Sequence, residues 1–133
     1  MNTISMLKKG LLLLIFCLAT CFGVNAANVK EYDYSFKVKG LKEGDTTMIA
    51  YYLGTKQYIK DTILVPKSGI VNFKGTELEG GIFLFVVPGM KYFEFLAVEP
   101  KISMETDLAN MVSGMKVKVS EENTIFFDYL KFI

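Results

Sequence analysis

The chain has 133 residues, 15 lysines and 14 carboxylates, with no arginine, histidine or tryptophan and only two cysteines. Both cysteines, Cys17 and Cys21, lie in the apolar N-terminal run. The remainder therefore lacks a thiol nucleophile, an imidazole base and any soft or nitrogen ligand for zinc, copper or haem, and a near-neutral balance without arginine argues against nucleic-acid binding.

The N-terminus has the three parts of a secretory signal. Lys8 and Lys9 are the positive region, Gly10 through Phe22 the apolar one, and Val24-Asn25-Ala26 sets small residues before a cut between Ala26 and Ala27. The run is shorter than the roughly 20 apolar residues that a membrane span needs. A lipoprotein signal is the competing reading, because Leu18-Ala19-Thr20-Cys21 approaches a lipobox with Cys21 as the lipidated anchor. Thr20 stands where Gly, Ala or Ser is expected. Either reading sends the product to the periplasm or cell envelope, with membrane contact only through the signal or that anchor. Cutting after Ala26 leaves 107 of the 133 residues, enough for one small domain. Removing Lys8 and Lys9 leaves 13 of the 15 lysines against all 14 carboxylates. Without disulfides such a domain must hold together by packing, and nine of its eleven Phe and all seven Tyr lie beyond the leader.

Beyond residue 27 the hydrophobic period is two for most of the length, which predicts strands. Tyr32, Tyr34, Phe36 and Val38 alternate with Asp33, Ser35, Lys37 and Lys39, giving a first strand with one aqueous face. A turn at 40–45 leads to a second strand, Thr46 to Leu53. Gly54-Thr55-Lys56-Gln57 breaks the pattern before a third, Tyr58 to Val65. Pro66-Lys67-Ser68-Gly69 turns into a fourth, Ile70 to Lys74. Ile82 to Val87 is continuously apolar and predicts a strand covered on both faces. Pro88-Gly89 fits positions i+1 and i+2 of a type II turn. Lys91 to Val98 returns with Phe93, Phe95 and Ala97 on one face, and Lys101 to Thr106 and Met115 to Val119 complete the set.

Ser120 is a good N-cap, with Glu121 and Glu122 placed to complement a helix dipole. Ile125, Phe126, Tyr129, Leu130, Phe132 and Ile133 recur at helical spacing. No Gly, Asn or Pro stops the pattern, so it reads as the start of a C-terminal α-helix, truncated. The expected fold is mainly β: an antiparallel β-sandwich or open barrel of about eight short strands, followed by that helix. The expected divisions are a signal peptide over 1–26, a β-domain over 27–119 and the helix over 120–133.

Candidate sites are few. Glu105 and Asp107, two apart on a strand, could bind calcium or act as an acid/base pair, but strand-end carboxylates are usually solvated. Asp61 beside Lys60 fits an exposed strand face of mixed charge. Tyr51, Tyr52, Tyr58 and Tyr92 could form a stacking platform for sugars or peptides, although adjacent Tyr51 and Tyr52 point to opposite faces. Gly80-Gly81 precedes a strand, the wrong context for a phosphate loop. No catalytic residue, metal ligand or cofactor is assigned. The helix offers an interaction surface at Phe126, Tyr129, Leu130 and Ile133, which predicts self-association.

In combination, Lys60-Asp61-Thr62, Gly80-Gly81-Ile82-Phe83, Pro88, Tyr92-Phe93, Glu105-Thr106-Asp107, Met115-Lys116-Val117, Ser120-Glu121-Glu122-Asn123 and Phe127-Asp128-Tyr129-Leu130 form an ordered set. That set resembles the N-terminal β-rich domain of exported Bacteroidetes thioredoxin-like proteins of the TlpA/ResA-like kind. The resemblance covers nearly all of the chain beyond the leader. It implies an envelope location and a non-catalytic accessory role in positioning, dimerisation or client contact, ahead of a thioredoxin-like domain. The Cys-x-x-Cys pair that performs thiol–disulfide exchange in that family has no counterpart here. Its expected partners are therefore a missing C-terminal thioredoxin-like domain or a second copy. The competing reading from the residues is a stand-alone secreted β-sandwich module binding peptide or glycan.

Overall fold

The computed structural model describes residues 28–133. Cys21, the Ala26–Ala27 cut and the 1–26 leader lie outside them. Eight strands and one helix follow in chain order: β1 (Asn28–Lys39), β2 (Thr46–Leu53), β3 (Lys56–Leu64), β4 (Ile70–Glu79), β5 (Gly81–Val87), β6 (Lys91–Ala97), β7 (Lys101–Asp107), β8 (Lys116–Val119) and α1 (Glu121–Phe132). They form two four-stranded sheets, sheet A in the order β4-β1-β7-β8 and sheet B in the order β3-β2-β5-β6. The sheets are separate, so the fold is the sandwich and not the open barrel.

Sheet B is antiparallel throughout, whereas β1 and β7 of sheet A run parallel, with Tyr34 opposite Ile102 and Phe36 opposite Met104. The chain passes repeatedly between layers. It leaves sheet B after β6, crosses at Val98–Pro100 and enters sheet A in the direction of β1, where Asp33 N–H donates to Pro100 O at 2.8 Å. A purely antiparallel reading misses this pair, because period-two alternation carries no information on strand direction.

Two of the boundaries that differ from expectation have a clear local cause. The β2–β3 loop is only Gly54-Thr55, because Leu53 pairs with Lys56 and Gly54 takes φ +64°. Strand β4 runs past Gly75 to Glu79, where a glycine ordinarily weakens a strand. Tyr32 lies opposite Gly75 and lays its ring over it: a Cβ at that position would meet the Tyr32 hydroxyl at 2.6 Å. The aromatic ring thus supplies the packing that the glycine lacks.

Period-two alternation sends Tyr32, Tyr34, Phe36 and Val38 of β1 inward, where they meet Phe73, Phe83, Phe85, Phe93 and Phe95. Phe36 is the hub. Its ring centroid lies 4.6 Å from that of Phe85, 5.1 Å from Phe95, 6.0 Å from Phe93 and 6.1 Å from Phe73. Burying rings of this size stabilises by about 2–3 kcal/mol each, and their edge and stacked geometries add to it.

Helix α1 closes one open side between the sheets. Ser120 caps it as the sequence predicts, its Oγ accepting from Asn123 N–H at 3.0 Å. Phe127 is fully buried with its ring 6.2 Å from Phe93. Fully buried Asn123 bonds the edge of sheet B as a neighbouring strand would: Oδ1 accepts from Leu96 N–H at 2.8 Å and Nδ2 donates to Leu96 O at 2.9 Å. Asn123→Ala leaves both Leu96 groups unpaired. It is expected to lower unfolding stability by about 2 kcal/mol, read from the urea midpoint, with helix content at zero denaturant largely kept.

Candidate functional site

The two outward faces of the sandwich differ in kind. On sheet A the outward residues alternate in charge across the strands. Lys37 lies between Ile70 and Glu105, and Glu105 in turn pairs with Lys116. Asp33 lies between Lys74 and Lys101, and Lys39 opposite Asp107. Lys74 Nζ is 3.9 Å from Asp33 Oδ2, and the Asn72 amide donates to Asp33 Oδ1 at 2.7 Å and to Ser35 Oγ at 2.9 Å. Cross-strand pairs of opposite charge stabilise a sheet and keep its face wet.

Glu105 and Asp107 do share this face, beside a depression of about 550 Å³ that Lys37, Lys39 and Lys116 also line. Their surroundings are those of a charge ladder. Each is matched by lysine, and Asp107 Oδ1 accepts from Ala109 N–H at 2.9 Å to start the following turn. Among the described residues no group of three or more Asp or Glu converges to hold a metal ion.

Asp61 sits opposite Ile49, on the inward side of β3 at the rim of the sandwich. Its Oδ1 accepts from Thr62 N–H at 2.8 Å, and its charge adds to burial in raising the pKa of Tyr32. Lys60 is the extra residue of a β-bulge, since Ile49 pairs with Asp61 and Ala50 with Ile59.

The four tyrosines divide between two places. Tyr51 and Tyr58 pair on the inward side with rings stacked at 5.8 Å, and Phe83 lies 5.7 Å from Tyr51. Tyr51 and Phe83 line a cavity of about 310 Å³ at one end of the sandwich, rimmed by Lys60, Glu77 and Glu79. Glu77 takes a left-handed backbone, φ +58°, unusual for a residue with a side chain. Tyr52 and Tyr92 lie on the outer face of sheet B, where the Tyr52 hydroxyl donates to Glu94 Oε1 at 3.1 Å.

That outer face is apolar. Met48 and Ala50 of β2, Ile59 of β3, Leu84 and Val86 of β5, and Leu96 of β6 compose it with the two tyrosines. Ala50, Leu84 and Val86 are buried, with Met48 packed against them, while Ile59 and Ile82 are 62% and 47% exposed. Its central carboxylate is Glu94. The expectation that Ile82–Val87 is covered on both faces holds from Phe83 onward, Ile82 being exposed.

Of the four helix residues singled out from the sequence, Phe126 and Leu130 pack against the core and Tyr129 and Ile133 face solvent. Ile125 and Phe132 join Tyr129 on the exposed side, Phe132 at 88%. The helix thus carries two apolar stripes: Phe126, Phe127 and Leu130 toward the body, and Ile125, Tyr129 and Phe132 away from it.

The helix start is tied down by a polar knot that the sequence reading does not foresee. Tyr34 is fully buried and its hydroxyl donates to Glu99 O at 2.8 Å. The Glu99 carboxylate accepts a short hydrogen bond from Ser120 Oγ and another from Glu121 N–H at 3.1 Å. Every fully buried side-chain nitrogen or oxygen among the described residues has a partner. No family model matches the chain, and neither the curated proteins nor the solved structures give a significant match.

Burial pushes the Tyr34 hydroxyl well above its usual value of 10.0, with the Glu99 and Tyr32 charges adding to the effect. The folded state therefore favours the neutral phenol. Its contribution is whole below about pH 10 and is lost as pH rises beyond it. Urea midpoints should fall above pH 10, and Tyr34→Phe should flatten that fall while lowering stability at pH 7 by about 1 kcal/mol. Glu105→Gln removes one member of the exposed ladder and should shift the urea midpoint by no more than about 0.5 kcal/mol.

Proposed function

We propose that residues 28–133 form a non-catalytic accessory domain of an exported, envelope-located thioredoxin-like protein, working through surface contact: positioning, dimerisation or the holding of a client. The observation that supports this most directly is the coexistence of a closed, polar-satisfied interior with two apolar surfaces left outside. Large exposed apolar patches on a small domain mark interaction sites. The residues that would perform thiol–disulfide exchange are not among 28–133, so the redox step would belong to another part of the protein.

A second reading, a stand-alone secreted module for peptide or glycan, draws support from the Tyr51–Tyr58 stack and the cavity rimmed by Glu77, Glu79 and Lys60. Aromatic faces beside carboxylates suit sugar rings or cationic side chains.

The intact mass of the natively expressed product, with and without thiol alkylation, separates the two. The accessory reading expects a mass above that of the 133 residues and two alkylatable cysteines beyond Cys17 and Cys21. A thiol-free product matching residues 27–133 overturns it and favours the binding module.

A further inference from the structure

We propose that the cavity at the end of the sandwich receives a single arginine side chain of a partner peptide, its guanidinium laid on the aromatic wall of sheet B and held by Glu77 and Glu79 of sheet A. This rests on the reading of the domain as a binding module, and within it selects peptide over glycan.

The two sheets supply unlike walls. Tyr58, Tyr51 and Phe83 stand in one row across β3, β2 and β5. Their rings follow one another at 5.8 and 5.7 Å and are inclined by only 27° and 34°, so they form a nearly continuous aromatic surface. Tyr51 and Phe83 of that row line the cavity, and buried Leu78 of β4 closes it from sheet A. Glu77 and Glu79 flank Leu78 and line the cavity with it. A volume of about 310 Å³ lies at the small end of ligand pockets and suits one side chain better than an oligosaccharide.

Charge decides the ligand. On the outer face of sheet A, Asp33, Glu105 and Asp107 each face a lysine on a neighbouring strand. At the cavity that matching fails. Glu79 stands opposite Asn28, and among the described residues no lysine ammonium lies within 4.0 Å of Glu77 or Glu79. In the lining Lys60 is one cation against two carboxylates, which leaves the cavity negative. A neutral sugar seated there strips water from two like charges and returns no countercharge. A cation relieves their repulsion. Arginine suits the pair of walls better than lysine, because its planar, weakly hydrated guanidinium stacks on an aromatic ring while its edge presents donors to carboxylates. The chain contains no arginine, so the occupant comes from another polypeptide.

The test is an amide NMR titration of the natively expressed product with a blocked peptide carrying one arginine. The comparison ligands are the same peptide with lysine, the same peptide with citrulline as the neutral isostere, and a neutral trisaccharide. The expected result is saturable shifts confined to the amides around Tyr51, Leu78 and Phe83, with a submillimolar Kd for arginine, a weaker one for lysine and no saturation by citrulline or sugar. Glu77→Gln and Glu79→Gln should each weaken binding about threefold, and Lys60→Gln should tighten it about twofold. Tyr51→Leu should weaken it about threefold where Tyr51→Phe does not, with urea midpoints confirming that each variant is folded. No shift at millimolar arginine peptide overturns the proposal. So does binding that is indifferent to both glutamine variants, or equal binding of the citrulline peptide. Lysine binding as tightly as arginine overturns the guanidinium assignment. Saturation of the same amides by the sugar and not by arginine overturns it in favour of a glycan. The intact mass reports whether a further domain follows and is blind to what the cavity holds, so the two readings fail separately.

Discussion

Everything in this domain is arranged around the ring of Phe36. It lies on β1, the strand that joins β4 to β7 in sheet A, and touches four phenylalanines. Three of them, Phe85, Phe93 and Phe95, come from sheet B, so one side chain holds the two layers in register. With no cysteine among the described residues, cohesion must come from such packing. The concentration of aromatic residues on inward positions of β1, β5 and β6 answers that constraint. Each ring brings large apolar area for few rotatable bonds.

The polar groups complete what the rings begin. Tyr34 is buried beside Phe95 and sends its hydroxyl to the carbonyl of Glu99, and the Glu99 carboxylate receives Ser120 and Glu121. A path of hydrogen bonds therefore runs from the core, through the crossover between sheets, to the first turn of α1. Asn123 adds a link from that turn to the edge of sheet B. The helix is an integral wall of the sandwich. Its outward stripe is presented on a fixed support, as is the apolar face of sheet B.

Much of this was legible in the sequence because strands half exposed to water must alternate. Tyr32 through Val38 and Phe93 through Ala97 declare their inward faces without help. Alternation is blind to strand direction and to layer exchange, so the parallel β1–β7 pair was not visible. Gly75 misled because its compensating group, Tyr32, is distant in sequence. The helix was legible as a helix, but its orientation was not. Both Phe126-Phe127-Leu130 and Ile125-Tyr129-Phe132 are apolar at helical spacing, and only contact with Phe93 decides which is buried. Asn123 was the missed clue, a polar residue in the buried stripe whose amide has main-chain partners to satisfy. The carboxylates Glu105 and Asp107 were correctly placed on one face, but their matching lysines come from β1 and β8. No local pattern announces those neighbours.

The parallel pair has a consequence for how the domain forms. Strand β1 is made first, yet it is central in sheet A and needs β4 on one side and β7 on the other. Pairing with β7 must wait until Lys101–Asp107 has been synthesised, five strands after β2 begins. Contacts so distant in sequence carry a large loop-closure cost before they return anything, which slows folding. During that interval Tyr34 and Phe36 have no complete shelter, and the unfinished sheet presents open edges. The β2–β3 and β5–β6 hairpins of sheet B pair neighbours in sequence and can close early, so completion of sheet A is the late event in forming the sandwich.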